Sequence, residues 1–265
     1  MVPVATLPNF VVAGVTGCAT RWLRFHLNEH PDVFTPPFPL DFFAEGIPPF
    51  EGPPFGDARR QVRQGLRWYR HQFMVPAGMP CVGDVSPSYL AGVNRPAVIA
   101  GRIDEVLPDA RVVAMIRQPV ERMYVTMVEH ARRGVLPPDP DLFALVRDRD
   151  PDLDELDLVG GGLYARNLLP FLETFGERLL VVVHDDVLAD PGRIYRQVLT
   201  HIGADPDFVP PHLERQIFDD PGVTDPQPLT PAQAFRLYDL FRGDVEELEA
   251  ILDLDLRAWN PVPPG

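Results

Sequence analysis

Three times along this chain a short run of apolar, mostly β-branched residues gives way to a small or polar corner and then to helical periodicity. The first copy is Asn9-Phe10-Val11-Val12-Ala13-Gly14-Val15, punctuated by Gly14 and Gly17; from Thr20, Trp22, Leu23, Phe25 and Leu27 recur at helical spacing until His30-Pro31. The second is the strand Arg111–Ile116, the corner Arg117-Gln118-Pro119 and the helix Val120–Arg132, which Pro119 is placed to open. The third comprises a helix Leu163–Phe175, a strand Leu179–Val183, a polar corner His184-Asp185-Asp186 and a helix Arg193–Ile202. Strands alternating with helices predict an α/β three-layer sandwich around a central parallel sheet. At 265 residues and 45% hydrophobic content, one core is expected, so residues 1–265 read as a single domain. Between the first two copies, Pro36–Phe55 is rich in Pro, Phe and Gly and predicts a loop or lid carrying Asp41, Phe42, Phe43 and Glu45; Asp57–Phe73 reads as helix. Pro210–Pro228 is polar and proline-rich, and Pro231–Leu252 reads as a pair of short amphipathic helices.

Charge narrows the partners. A net charge of -14 argues against a nucleic-acid backbone or an anionic membrane surface, so any bound anion needs a local basic cluster. No window approaches a membrane span and no signal-peptide order is seen, which makes a cytoplasmic location the expectation. Cys18 and Cys81 fit no metal spacing and read as free thiols; no metal site is expected. All 24 basic residues are arginine, so no step can use a lysine ammonium as phosphate clamp, Schiff base or proton donor.

In a parallel sheet, ligands sit beyond the carboxyl ends of the strands, where helix N-termini present free N–H groups. The loop Gly14–Thr20 and the corner Arg117–Pro119 both fall there, one offering backbone donors and the other a permanent cation, which suits two separate phosphates.

From the loop onward, a series of motifs in order resembles one family. It comprises Val12-Ala13-Gly14-Val15 into Thr20, His30-Pro31-Asp32-Val33-Phe34, Asp41-Phe42-Phe43 and Gly83-Asp84-Val85-Ser86-Pro87-Ser88-Tyr89-Leu90. It continues through Arg117-Gln118-Pro119-Val120-Glu121-Arg122-Met123-Tyr124, Gly162-Leu163-Tyr164 and Val183 to Pro191. The chain is similar to the sulfotransferases that use 3′-phosphoadenosine 5′-phosphosulfate, PAPS. The resemblance implies a P-loop-like sulfotransferase fold, PAPS as cofactor with its by-product PAP, and sulfuryl transfer to a hydroxyl or amine of a small-molecule acceptor. A 5′-phosphosulfate cradle is implied at Gly14–Arg21 and a 3′-phosphate site around Arg117. The arginine and proline bias, as of a GC-rich genome, makes a natural-product acceptor the expectation.

Carried over residue by residue, most of the family's working groups are absent. The cradle lysine falls at Gly17, and the glycines after it at Cys18 and Ala19, while Thr20 keeps its type and Arg21 follows. The base glutamate falls at Pro39 and a common histidine at Asp41; a lysine of some members falls at Val85. Arg117 matches the 3′-phosphate arginine, yet the serine eight residues on is Val125, with Thr126 adjacent; the late Lys-Gly-Arg type loop has no counterpart between Pro210 and Pro228. Gly14, Gly17, Cys18, Ala19, Thr20, Arg21, Arg117 and Thr126 are thus the expected nucleotide site, with Asp41, Glu45 and Arg21 the catalytic candidates. Arg21 would replace the lysine as a bidentate clamp. Phe42, Phe43, Asp84, Tyr89 and Tyr164 are the candidate acceptor pocket.

Each assignment has a plainer rival. Arg117 is a ligand or a surface arginine paired to an acidic neighbour, and Asp41 is a base or a solvated loop acid. Cys18 is a thiol activated by a helix N-terminus or a small stand-in for glycine. The aromatic residues line a pocket or pack a core. Two other functions stay open: PAPS-independent acid/base chemistry (cyclisation, elimination or hydrolysis) on the same fold, and a non-catalytic scaffold.

Overall fold

The computed structural model describes residues 3–44, 65–92, 95–146, 154–214 and 229–261. Its centre is a five-stranded parallel sheet in the order β3-β5-β2-β6-β7, made of β2 (Phe10–Gly14), β3 (Val33–Phe34), β5 (Cys81–Val85), β6 (Arg111–Ile116) and β7 (Leu179–Val183). β1 (Pro3–Ala5) and β4 (Met74–Pro76) form a separate antiparallel pair. The helices are α1 (Thr20–Leu27), α2 (Gly65–His71), α3 (Pro96–Val106), α4 (Pro119–Arg132), α5 (Leu142–Val146) and α6 (Tyr164–Phe175). They continue with α7 (His184–Ala189), α8 (Pro191–Ile202), α9 (Pro231–Tyr238) and α10 (Arg242–Leu252). This is the α/β parallel-sheet architecture that the alternation predicts.

The three units appear with shifts at their ends. α1 stops at Leu27 rather than running to His30. The His184-Asp185-Asp186 corner is itself the first turn of α7. α8 begins at Pro191 because the Asp190 side chain accepts from the Arg193 N–H at 2.8 Å, and Gly203 at φ 83° ends it. Of the expected helix Asp57–Phe73, Gly65–His71 is helical and residues 57–64 lie outside the described residues, as do 45–55 of the lid and 215–228 of the tail.

The strand that the sequence hides is β5. Cys-Val-Gly-Asp-Val carries a glycine and a carboxylate, which lowers its strand signal. Both have a structural cause. Gly83 is paired with Phe10, and a β-carbon there would lie 2.0 Å from the Phe10 ring, so the pairing of β2 with β5 requires glycine. Asp84 is completely buried and accepts three hydroxyl hydrogen bonds.

β2 sits between β5 and β6, and the connections leave toward opposite edges of the sheet there, so the crevice lies beyond Gly14 and Ile116. The loop from Gly14 to Thr20 is drawn tight across it. The Val15 N–H donates to the Met115 carbonyl (2.9 Å) and the Cys18 N–H to that of Val15 (3.1 Å). Gly17, at φ 85°, presses against α4: a β-carbon would lie 3.0 Å from Thr126 Oγ1 and 3.1 Å from the Arg122 carbonyl. Ala19 then takes φ 65°, the left-handed region that disfavours a side chain, and hands the chain to α1 with no side-chain cap.

Arg122 fixes this loop from behind. Its guanidinium is fully buried and donates to the Thr16 carbonyl (2.9 Å), the Leu158 carbonyl (3.2 Å), and both the carbonyl and carboxylate of Asp157. Gly161 closes over the ion pair, where a β-carbon would fall 2.3 Å from the guanidinium.

Two stability predictions follow from these contacts. Ala19→Gly removes the left-handed penalty and should raise stability by about 1 kcal/mol, or about 2–4 °C in Tm, in thermal unfolding; no gain would mean the loop does not hold this conformation. Arg122→Met strands the Asp157 carboxylate and should cost about 3–5 kcal/mol in urea unfolding, and a loss below about 1 kcal/mol would contradict the buried pair.

Candidate functional site

The loop Gly14–Thr20, the start of α4, the start of α7 and the segment Leu40–Ala44 meet at the carboxyl end of the sheet. Gly14 abuts the short 3₁₀ turn Pro87–Leu90, since a β-carbon would lie 2.8 Å from the Pro87 carbonyl. Gly17 abuts α4. The loop is therefore held between β5's exit and α4, with Cys18, Ala19 and Thr20 buried at the start of α1 and Arg21 facing solvent.

Tyr164 ties this loop to Arg117. Its hydroxyl donates to the Arg117 carbonyl (2.7 Å), accepts from the Arg117 N–H (3.3 Å) and lies 3.7 Å from the Cys18 sulfur. Tyr164 is thus a buried strut of the site rather than a wall of an open acceptor pocket. Burial pushes the Cys18 thiol up to about 11, against the opposing pull of Arg122, the Tyr164 hydrogen bond and Arg117. A thiol so held is protonated at neutral pH, which favours the small-residue reading over the nucleophile.

Arg117 stands at the end of β6, partly exposed, with its Nε donating to Glu121 Oε2 at 3.0 Å. Its charge reaches both Cys18 and His184. His184 is 4% exposed and its Nδ1 has no partner among the described residues; burial first, and then Arg117, push it down to about 4, so it is neutral at pH 7. In the sequence His184 heads a His-Asp-Asp corner that resembles a metal or acid/base cluster, while its place at a strand's carboxyl end favours a structural role. Thr126 Oγ1 is another buried polar atom without a partner among the described residues, and it faces Gly17.

Arg21 does not occupy the lysine's place. Its guanidinium pairs with Glu129 of α4 at 2.7 Å and is about half exposed, and Glu129 also pairs with Arg133. The lysine position itself disfavours a side chain, because Gly17's positive φ would strain one and its β-carbon would crowd α4.

On the other flank, Asp41 takes φ 50° and its carboxylate accepts from Ser88 Oγ at 2.5 Å. Burial is the largest influence and raises this carboxyl to about 6; the Ser88 bond opposes the rise, and the neighbouring Asp84 charge adds to it. Phe42 stacks on Tyr69 with centroids 4.3 Å apart, and Phe43 meets Tyr69 and Tyr89 edge-on. Phe42, Phe43, Asp84 and Tyr89 therefore form a packed cluster beneath Asp41, and the core reading of these aromatics describes them. Glu45 lies outside the described residues. Among the described residues no group of three or more His, Cys, Asp or Glu is arranged to hold a metal ion, and no helix is long and apolar enough to cross a membrane.

No family model matches the chain. A membrane-associated sulfotransferase of Dictyostelium discoideum is 24% identical over 164 residues, covering 60% of this chain; the match spans 31% of that relative's own length. The crystal structure of a sulfotransferase from Alicyclobacillus acidocaldarius superposes with a TM-score of 0.80 at 25% identity, over 96% of this chain and 99% of the other. A sulfotransferase domain from the curacin biosynthetic pathway shares the fold at a TM-score of 0.54 and 13% identity, over 96% of this chain. With the ordered motifs and the parallel sheet they occupy, this chain-long likeness supports a divergent sulfotransferase-family member, one without the cradle lysine.

Proposed function

We propose that this protein transfers a sulfuryl group from PAPS to a hydroxyl or amine of a small-molecule acceptor. The observation that carries the reading is the loop that hands β2 to α1: Ala19 is held left-handed, at a cost glycine would avoid, and the helix N-terminus it opens has no side-chain cap. The group, when bound, supplies an activated sulfuryl whose leaving oxygen develops negative charge. The residues present fit its phosphates in kind. Thr20 and the first turn of α1 offer neutral donors, Arg117 a permanent cation, and the unpartnered Thr126 hydroxyl and neutral His184 further polar contacts. They supply no ammonium for the leaving oxygen, so charge stabilisation falls to backbone N–H groups, and a slow catalyst is expected, since one lost donor typically costs about 10²–10³ in rate.

Asp41 is the base of this reading. Its carboxyl titrates at about 6, so it is ionised and able to take the acceptor's proton at neutral pH, with Ser88 orienting it. A natural-product acceptor remains part of the proposal.

A second reading is favoured by the crowded Gly17 position and the Arg21–Glu129 pair: the fold has kept Asp41 for acid/base chemistry that needs no PAPS. Calorimetric titration with 3′-phosphoadenosine 5′-phosphate separates the two. Micromolar binding, weakened about 10- to 100-fold in Arg117→Ala and not matched by ATP, is the expected result. Absence of heat at millimolar ligand would sink the first reading and leave the second.

The buried acid carries its own test. Because the folded carboxyl sits above its ordinary 3.8, its contribution to stability is full below 3.8 and is lost as pH rises through about 6. Asp41→Asn should therefore be more stable than the parent by about 1–2 kcal/mol at pH 8 and equal to it at pH 3.5 in urea unfolding. A loss of stability at pH 8 would show that the carboxylate is structural rather than held ready.

A further inference from the structure

Residues 40–43 carry the proposed base and lead into the short 3₁₀ turn Phe42–Ala44, in which the Ala44 N–H donates to the Asp41 carbonyl at 3.2 Å. The Leu40, Asp41 and Phe43 N–H groups are held instead by hydroxyl groups. The Leu40 and Asp41 N–H groups both donate to Ser86 Oγ, at 3.0 and 3.1 Å, and the Phe43 N–H donates to the Tyr89 hydroxyl at 3.5 Å. Each of these hydroxyls has one proton, and each gives it to the same carboxylate: Ser86 to Asp84 Oδ1 at 2.6 Å and Tyr89 to Asp84 Oδ2 at 2.7 Å. Tyr69, against which Phe42 stacks, adds a third donor to Oδ2 at 2.9 Å.

The direction of these bonds is fixed by chemistry. An amide N–H can only donate, so Ser86 and Tyr89 accept from the lid and their own protons point at Asp84. Both Asp84 oxygens therefore accept, Oδ1 from Ser86 and Oδ2 from Tyr89, while full burial pushes the Asp84 carboxyl up.

We propose that Asp84 is a positioning residue for Asp41: through the Ser86 and Tyr89 hydroxyls it orders Leu40, Asp41 and Phe43. The proposal rests on the reading of Asp41 as the base. Asp41's left-handed backbone, φ 50°, is the strained product of this arrangement, since both N–H groups at the turn converge on one oxygen. Among the described residues, the titratable and charged groups around Asp41 are Asp84 on β5, Tyr89 in the turn that also bears Ser88, Tyr69 on α2, and Arg102 on α3, which donates to the Phe43 carbonyl at 2.9 Å. Asp84 is the other carboxyl among them, and its proximity supports the upward displacement of Asp41.

Amide hydrogen exchange and carboxyl-carbon NMR titration of the full chain test this without requiring turnover. Ser86→Ala should speed exchange at Leu40 and Asp41 about tenfold and leave Phe43 alone; Tyr89→Phe should free Phe43 alone; Asp84→Asn should free all three while the β6 amides hold. Ser86→Thr, which keeps the hydroxyl, should restore the parent rates. In Asp84→Asn the Asp41 midpoint should fall below about 6. Lid amides that do not respond, or that speed up only in step with β6, overturn the proposal, as does an unmoved Asp41 midpoint. Should Asp84→Asn fail to fold, the selective patterns of the two hydroxyl variants decide. Failure of the nucleotide titration with the lid pattern intact rejects sulfuryl transfer alone; nucleotide binding with the lid pattern absent rejects the positioning role alone.

Discussion

The buried guanidinium of Arg122 is the interaction on which the carboxyl end of this sheet depends. A cation of that size carries a large desolvation cost, and it is tolerated because every face of it meets an acceptor: Thr16 of the loop, Leu158, and the carbonyl and carboxylate of Asp157. The pair joins three segments that no β-ladder connects. Burial raises the Asp157 carboxyl to about 6 even with Arg122 beside it, and its second oxygen has no partner among the described residues. The loop's shape is thus set by an ion pair behind it rather than by any residue that would touch a ligand.

That division explains what was legible in the sequence. The strand–corner–helix units stood out because Phe10–Gly14, Arg111–Ile116 and Leu179–Val183 are rich in apolar residues and because prolines and glycines punctuate them. β5 did not stand out, since Gly83 answers to the Phe10 ring and Asp84 to three hydroxyls, and periodicity registers neither demand. Its residues were read as a motif and as pocket wall, whereas Asp84 lies beneath the lid.

The site was legible by position more than by role. Arg117, Thr20 and Asp41 fall where a strand's end or a lid puts them, which order along the chain discloses. The partner of Arg21 is another matter: Glu129 lies far along the sequence on another helix, and nothing local distinguishes a clamp from an exposed pair worth little. Likewise the aromatics Phe42, Phe43 and Tyr89 have the composition of a pocket and the packing of a core, and only ring geometry separates the two.

α4 has a mechanical consequence. Arg117 immediately precedes its first turn, Arg122 and Thr126 face the loop from its middle, and Glu129 holds Arg21 near its end. Contacts to the proposed cation site, to the loop and to the first turn of α1 are therefore borne along one rigid rod. Any shift of α4 would therefore carry the Arg117 corner, the loop and the first turn of α1 together.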